Sequence, residues 1–189
     1  MSQFNTGFLE VICGPMFCGK TEELIRRVRR AIIAKKQVLV FKHQLDTRYV
    51  KRNLMSHSKI SHRSKVVKSA KDILKKITPR TQVVAIDEAM LFGTELITVV
   101  EKLVNQGKRV IVSGLSSTFD AQPFEPIPSL MAVADRVDKL SAVCNNCGKE
   151  AIFHKKLTNN HIDALAITAK HVGEKDIYEA RCRQCFNLD

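Results

Sequence analysis

Residues Gly14-Pro15-Met16-Phe17-Cys18-Gly19-Lys20-Thr21 fit the pattern G-x-x-x-x-G-K-[ST], and their surroundings constrain the fold more than any other feature of the chain. Immediately before them runs Phe8–Cys13 (FLEVIC), a short and mostly apolar stretch that predicts a buried strand. Immediately after them, Leu24, Ile25, Val28, Ala31 and Ile32 recur at helical spacing, while Arg26, Arg27, Arg29 and Arg30 fall on the other side and read as a solvated face. Strand, glycine-marked turn and helix in that order make a phosphate cradle. Glycine, lacking Cβ, lets the backbone curl so that several N–H groups point at one anion, and the helix N-terminus adds its dipole. In such a loop Lys20 reaches the β- and γ-phosphates, and the Thr21 hydroxyl ligates Mg²⁺. Cys18, near a helix N-terminus, reads as a small side chain filling the turn rather than an activated thiol.

The rest of the chain repeats the alternation. Gln37–Lys42 (QVLVFK), Gln82–Asp87 (QVVAID) and Lys108–Gly114 (KRVIVSG) predict strands. Ala70–Ile77 and the Leu96, Val99, Val100, Leu103, Val104 series predict helices, the latter stopped near Gly107. Residues 43–68, polar and basic with little periodicity, predict a long loop, and Pro123, Pro126 and Pro128 mark a second one. Val137–Val143 supplies one more strand. Short apolar strands separated by helices build a parallel sheet through right-handed crossovers, so the expected class is α/β, doubly wound, with a boundary near Val143. Asp87 ends an apolar strand where a carboxylate can hold Mg²⁺ through water, and Glu88 follows it; at a strand end two adjacent carboxylates can divide metal binding from proton abstraction.

Cys144-x-x-Cys147 and Cys182-x-x-Cys185 supply four thiolates, enough for a closed tetrahedral Zn²⁺ site of structural kind. The 34 residues between the pairs exceed what a plain zinc ribbon needs, so the metal is expected to pin the base of a large loop. His154, His161 and His171 lie in that insert and read as solvated histidines, with spare ligands the alternative. Without a basic n-region before an apolar stretch at the start, and without an apolar run of roughly 18 residues, the expectation is a soluble, cytoplasmic protein with reduced thiols.

The 189 residues carry 31 Lys and Arg against 19 Asp and Glu, a net of +12. That excess raises nucleic acid or phosphate-bearing ligands as partners. It is local: residues 20–80 hold 19 basic and 4 acidic side chains, a net of +15, leaving −3 for the remainder. Only Phe41 and Tyr49 interrupt the basic stretch as aromatics, a poor stacking platform for single strands, so nucleic acid is not the expected partner.

Taken in order, the P-loop GPMFCGKTEELIRRVRR, DTRY at Asp46–Tyr49, AIDEA at Ala85–Ala89, TFDAQPF at Thr118–Phe124 and the cysteine quartet resemble the type II, cytosolic-type thymidine kinases over nearly the whole chain. The resemblance implies a P-loop kinase domain over 1–143 and a zinc-binding lasso domain over 144–189, the lasso running from about Leu157 to Tyr178. It implies transfer of the γ-phosphate of ATP to the 5′-hydroxyl of thymidine, with Glu88 as general base. Asp46 and Arg48 would sit beside the phosphates. Met16, Leu91, Leu115, Phe119, Phe124 and Tyr178 would line the nucleoside pocket, with backbone near Val172 bonding the pyrimidine. Members are commonly tetramers. Three positions depart from the family pattern: Met90 and Leu91 stand where glutamine and an aromatic are usual, and Ser116 where an aspartate is usual. These departures keep in view a nucleoside-shifted or catalytically impaired homologue, and the +15 segment keeps in view a nucleic-acid-binding P-loop zinc protein.

Overall fold

The computed structural model describes residues 6–46, the backbone of 53–55 and 61–63, and residues 64–157 and 177–187. Its elements follow in the order β1 (Phe8–Gly14), α1 (Lys20–Ile33), β2 (Val38–His43), β3 (Asn53–Met55), β4 (Ser61–Arg63), β5 (Lys65–Val67), α2 (Ala70–Leu74), β6 (Val83–Ile86), α3 (Glu95–Asn105), β7 (Arg109–Leu115), α4 (Ile127–Val133), β8 (Arg136–Lys139), β9 (Ala142–Val143), β10 (Glu150–Ala151), β11 (Phe153–Lys156), β12 (Tyr178–Arg181) and α5 (Arg183–Phe186). Six of the strands form one parallel sheet in the order β5-β2-β6-β7-β1-β8.

The central strands read as near-continuous apolar runs because both faces of the sheet are covered. On one face Ile12, Val40, Val83, Ala85 and Ile111 meet Leu24, Ile25, Val28 and Ala31 of α1. On the other, Leu9, Val11, Phe41, Val84, Ile86, Val110 and Val112 meet Ile73 of α2, Leu96, Val99, Val100 and Leu103 of α3, and Ile127 and Leu130 of α4. Successive strand residues alternate between the two cores, the period of two that a pleated strand imposes. Full burial of each such aliphatic side chain contributes roughly 1.5–3 kcal/mol.

Parallel register sets the site. Gly14 lies opposite Leu115, Ile86 opposite Val112, and Phe41 opposite Ile86, so the strand ends that carry the P-loop, Asp87 and the Leu115 turn share one edge of the sheet. Beyond that edge β9 pairs with β10 and β11 with β12, two antiparallel hairpins that bring the cysteine pairs together. Their small core is Ala142, Cys144, Ala151, Ala180, Cys182 and Cys185.

Four expectations need correction. The 43–68 stretch is not a bare loop: β3 and β4 pair antiparallel within it, and β5 joins the sheet edge beside β2. Three-residue strands are too short to show periodicity. The proline-rich segment contains α4, with Pro128 in its first turn, where proline's missing N–H costs nothing. Val137–Val143 divides into β8, in the main sheet, and β9, in a hairpin. Arg27 is not on a solvated face: it is 4% exposed and enclosed by carboxylates.

Candidate nucleotide site and cysteine cluster

The P-loop curls where the sequence places glycine. Gly14 has φ +150°, and a Cβ there would lie 2.4 Å from the Leu140 carbonyl oxygen and 2.7 Å from Cys18 Sγ. Gly19, at φ 81°, caps α1 in the left-handed region that side chains disfavour. Between them Phe17 adopts φ 66°. Lys20, buried in the first turn of α1, donates from Nζ to the Pro15 carbonyl at 2.5 Å. Its ammonium therefore already lies inside the curl. Cys18 Sγ donates to the same carbonyl at 3.0 Å, and burial pushes its thiol pKa up, as fits a turn-filling side chain.

Asp87 connects three elements. Its backbone N–H donates to the Phe41 carbonyl of β2 at 3.1 Å. Its carboxylate accepts from Thr21 Oγ1 of α1 at 3.0 Å and from Ser113 Oγ of β7 at 2.5 Å. The two residues expected to share a magnesium ion are thus in direct contact, although 66 positions apart. Ser113 was not among the expected site residues. No local signal marks it: strand register, which pairs Ile86 with Val112, brings this serine beside Asp87. Glu88 is buried at φ 48°, ψ 51°, a left-handed conformation that costs a non-glycine residue roughly 1–3 kcal/mol and clusters at functional sites. The strained turn carries the chain from β6 into a 3₁₀ turn over Ala89–Phe92, where Met90 is buried and Leu91 half-buried. Asp46, also buried, follows β2, and Lys42 Nζ donates to its carbonyl at 3.4 Å.

Of the expected nucleoside residues, Met16 lies in the P-loop and Leu115, at the end of β7, lies beside Gly14. The Ser116 amide donates to the Gly14 carbonyl at 3.4 Å, and the Phe124 amide to the Ser116 carbonyl at 3.3 Å. Phe119 and Tyr178 come together with ring centroids 6.5 Å apart. Leu157 N–H donates to the Ile177 carbonyl at 2.8 Å, closing the base of the insert. Arg48, Val172, His161 and His171 lie outside the described residues, as do 158–176 of the expected lasso.

His154 was expected in solvent and is 2% exposed, its ring edge-on to Tyr178 at 5.9 Å between centroids. Burial and the nearby Lys20 charge hold its pKa down to about 3, so it is neutral, and among the described residues Nδ1 has no hydrogen-bond partner. Within β11, which pairs with β12, His154 is buried while Phe153, Lys155 and Lys156 are half-buried.

The four cysteine sulfurs all lie within 4.8 Å of one another, with Cys147 and Cys182 at 3.6 Å. Zn–S bonds of about 2.3 Å in a tetrahedron put neighbouring sulfurs just under about 4 Å apart, so the donor set and its spacing fit zinc. His154 is not part of this group. Gly148, at φ 71°, turns the first knuckle.

A P-loop at the end of a parallel-sheet strand, its threonine bonded to the acidic end of a second strand, with a cluster of four cysteines beside it, defines an α/β protein of the P-loop class carrying an appendage that could hold a metal ion. The model of the thymidine kinase family matches residues 7–186, nearly the whole chain, and the chain belongs to that family. Family membership supports kinase chemistry with ATP and a nucleoside as substrates. Among the described residues no helix is long and apolar enough to cross a membrane.

Proposed function

We propose that the protein phosphorylates the 5′-hydroxyl of thymidine, or of deoxyuridine, at the expense of ATP, in cytoplasmic pyrimidine salvage and as a homotetramer. The observation that carries this reading is the contact of Thr21 with Asp87 at the mouth of the P-loop, with Glu88 the next residue in a strained turn. In this reading backbone N–H groups of Gly14 and residues 16–21 cradle the ATP phosphates, and Lys20 exchanges the Pro15 carbonyl for phosphate oxygens. Asp46 and Arg48 flank them. Thr21 and Asp87 would hold Mg²⁺, which neutralises charge building on the phosphoryl oxygens. Met16, Leu91, Leu115, Phe119, Phe124, Val172 and Tyr178 enclose the nucleoside. Glu88 accepts the 5′-hydroxyl proton as that oxygen bonds to the γ-phosphorus, and the bond to the bridging oxygen breaks to release ADP. Cys144, Cys147, Cys182 and Cys185 hold a structural zinc.

The test is a panel of deoxynucleosides offered to zinc-replete protein with ATP and Mg²⁺, beside Glu88→Gln. Removing a general base lowers kcat by about 10²–10⁴-fold, and ATP affinity should survive because the phosphate cradle is untouched. Failure to phosphorylate any deoxynucleoside, or an unchanged rate for Glu88→Gln, overturns the assignment. Buried Met90 beside half-buried Leu91 favours one second reading, a homologue that binds nucleosides without turnover. Tight binding in the absence of product identifies that case.

A further inference from the structure

Phe17 and Cys18, the inner residues of the P-loop, pack against the core of the cysteine module formed by Ala142, Cys144, Ala151, Ala180, Cys182 and Cys185. We propose that these two are positioning residues through which the four-thiolate metal centre holds the P-loop in its phosphate-binding curl. The inference rests on the reading of that loop as the ATP site.

The contacts run from the core of the cysteine module through Cys18 to the lysine. Cys18 Sγ donates to the Pro15 carbonyl, which also accepts from Lys20 Nζ, and the sulfur lies 3.7 Å from that nitrogen. A second strand of the connection enters from the backbone: Leu140 N–H donates to the Cys13 carbonyl at 2.8 Å, and the Leu140 carbonyl lies against Gly14. Two residues further on, Ala142 begins the cysteine module. Phe17 itself stands at φ 66°, a conformation that persists in a non-glycine residue only where its surroundings hold it.

What would hold those surroundings is the metal. The first knuckle and the turn bearing Cys182 and Cys185 are separate in sequence. Apart from the sulfurs, they are joined by the Asn145 amide on the Ala180 carbonyl, by the Ala180 amide on Asn145 Oδ1, by the β11–β12 ladder and the Phe153–Phe186 ring contact that follow the first knuckle, and by a core of small side chains. Four thiolates on one cation add a direct cross-link between the two turns; four separate thiols do not. Loss of the ion then takes away the face on which Phe17 rests. By linkage the coupling is reciprocal, and nucleotide binding tightens the hold on the metal.

The experiment compares zinc-loaded and chelator-stripped protein by hydrogen exchange of the 14–21 amides and by titration with ADP and Mg²⁺. Stripping is expected to raise exchange in 14–21 while β7 stays protected, and to weaken ADP by about tenfold, within the usual range of coupling between sites. Phe17→Ala, verified to keep one zinc per chain, should show both changes without chelator, and Phe17→Leu should return both quantities toward their wild-type values. A zinc-loaded Phe17→Ala protein with wild-type exchange and affinity overturns the proposal. So does exchange that rises equally in β7, which marks general unfolding. If loaded wild-type protein binds no ADP while protection of 14–21 still follows the metal, the kinase reading fails and the coupling stands.

Discussion

Asp87 takes hydroxyl donors from two elements, Thr21 of α1 and Ser113 of β7, so the carboxylate proposed to hold magnesium is fixed from both sides. A hydrogen bond to a charged group is worth roughly 1.5–3 kcal/mol. Ser113→Ala is therefore expected to lower the apparent affinity for Mg²⁺-ATP by about tenfold with the fold intact, as read by magnesium titration at fixed ATP. His154 makes a different prediction. Its pKa is about 3 in the folded protein, below the ordinary 6.5, because burial and Lys20 disfavour the imidazolium. Stability from the neutral ring is fully present above pH 6.5 and is lost progressively as pH falls from there toward 3, since only the unfolded chain takes up the proton in that window. Urea midpoints measured between pH 7.5 and 4.5 should fall for the wild type and fall less steeply for His154→Asn. A parallel decline in both proteins would refute the role of this ring.

At the scale of elements, α1 is tied to the sheet by Arg27. Its guanidinium reaches Glu10 of β1 at 2.6 Å, Glu23 of its own helix at 2.8 Å and Asp138 of β8 at 2.8 Å, and Arg109 of β7 also reaches Glu10 at 2.5 Å. Hydrogen bonds from Arg136 and Arg27 hold Asp138 down to about 2. Since Glu10 is only 5% exposed, Arg27→Met leaves a buried carboxylate with Arg109 alone. Breaking such a pair costs about 3–5 kcal/mol, a loss that equilibrium denaturation would register directly; Arg27→Lys recovers little because one ammonium does not span three acids. The helix itself was legible from its period, as were β1, β2, β6 and β7 from their apolar runs. The burial of Arg27 was not. Helical spacing shows which residues oppose the apolar stripe, but whether that side meets water depends on β8, more than a hundred residues away.

Across the whole molecule, the main sheet and the cysteine module have separate cores. Removing the metal is expected to release the β9–β10 and β11–β12 hairpins first, with far-UV circular dichroism of the α/β domain largely kept; loss of the whole signal in one step would show that the two cores do not separate. The charge excess takes on a clearer shape at this scale. Within the +15 stretch, Lys20 points into the P-loop and Arg27 into an ion-pair network, so part of the excess is internal and not surface charge.

By itself the sequence determined what depends on near neighbours: the curl at Gly14 and Gly19, the amphipathic helices, the paired cysteines and the acidic end of β6. Each follows from local sterics, side-chain period or donor chemistry. Tertiary structure alone decided that Ser113 completes the grip on Asp87, that His154 is buried and neutral, and that Phe17 rests on the cysteine core. Those contacts arise from parallel strand register and from hairpins meeting across long loops, and no pattern within a few residues of one side chain records what the register will bring beside it.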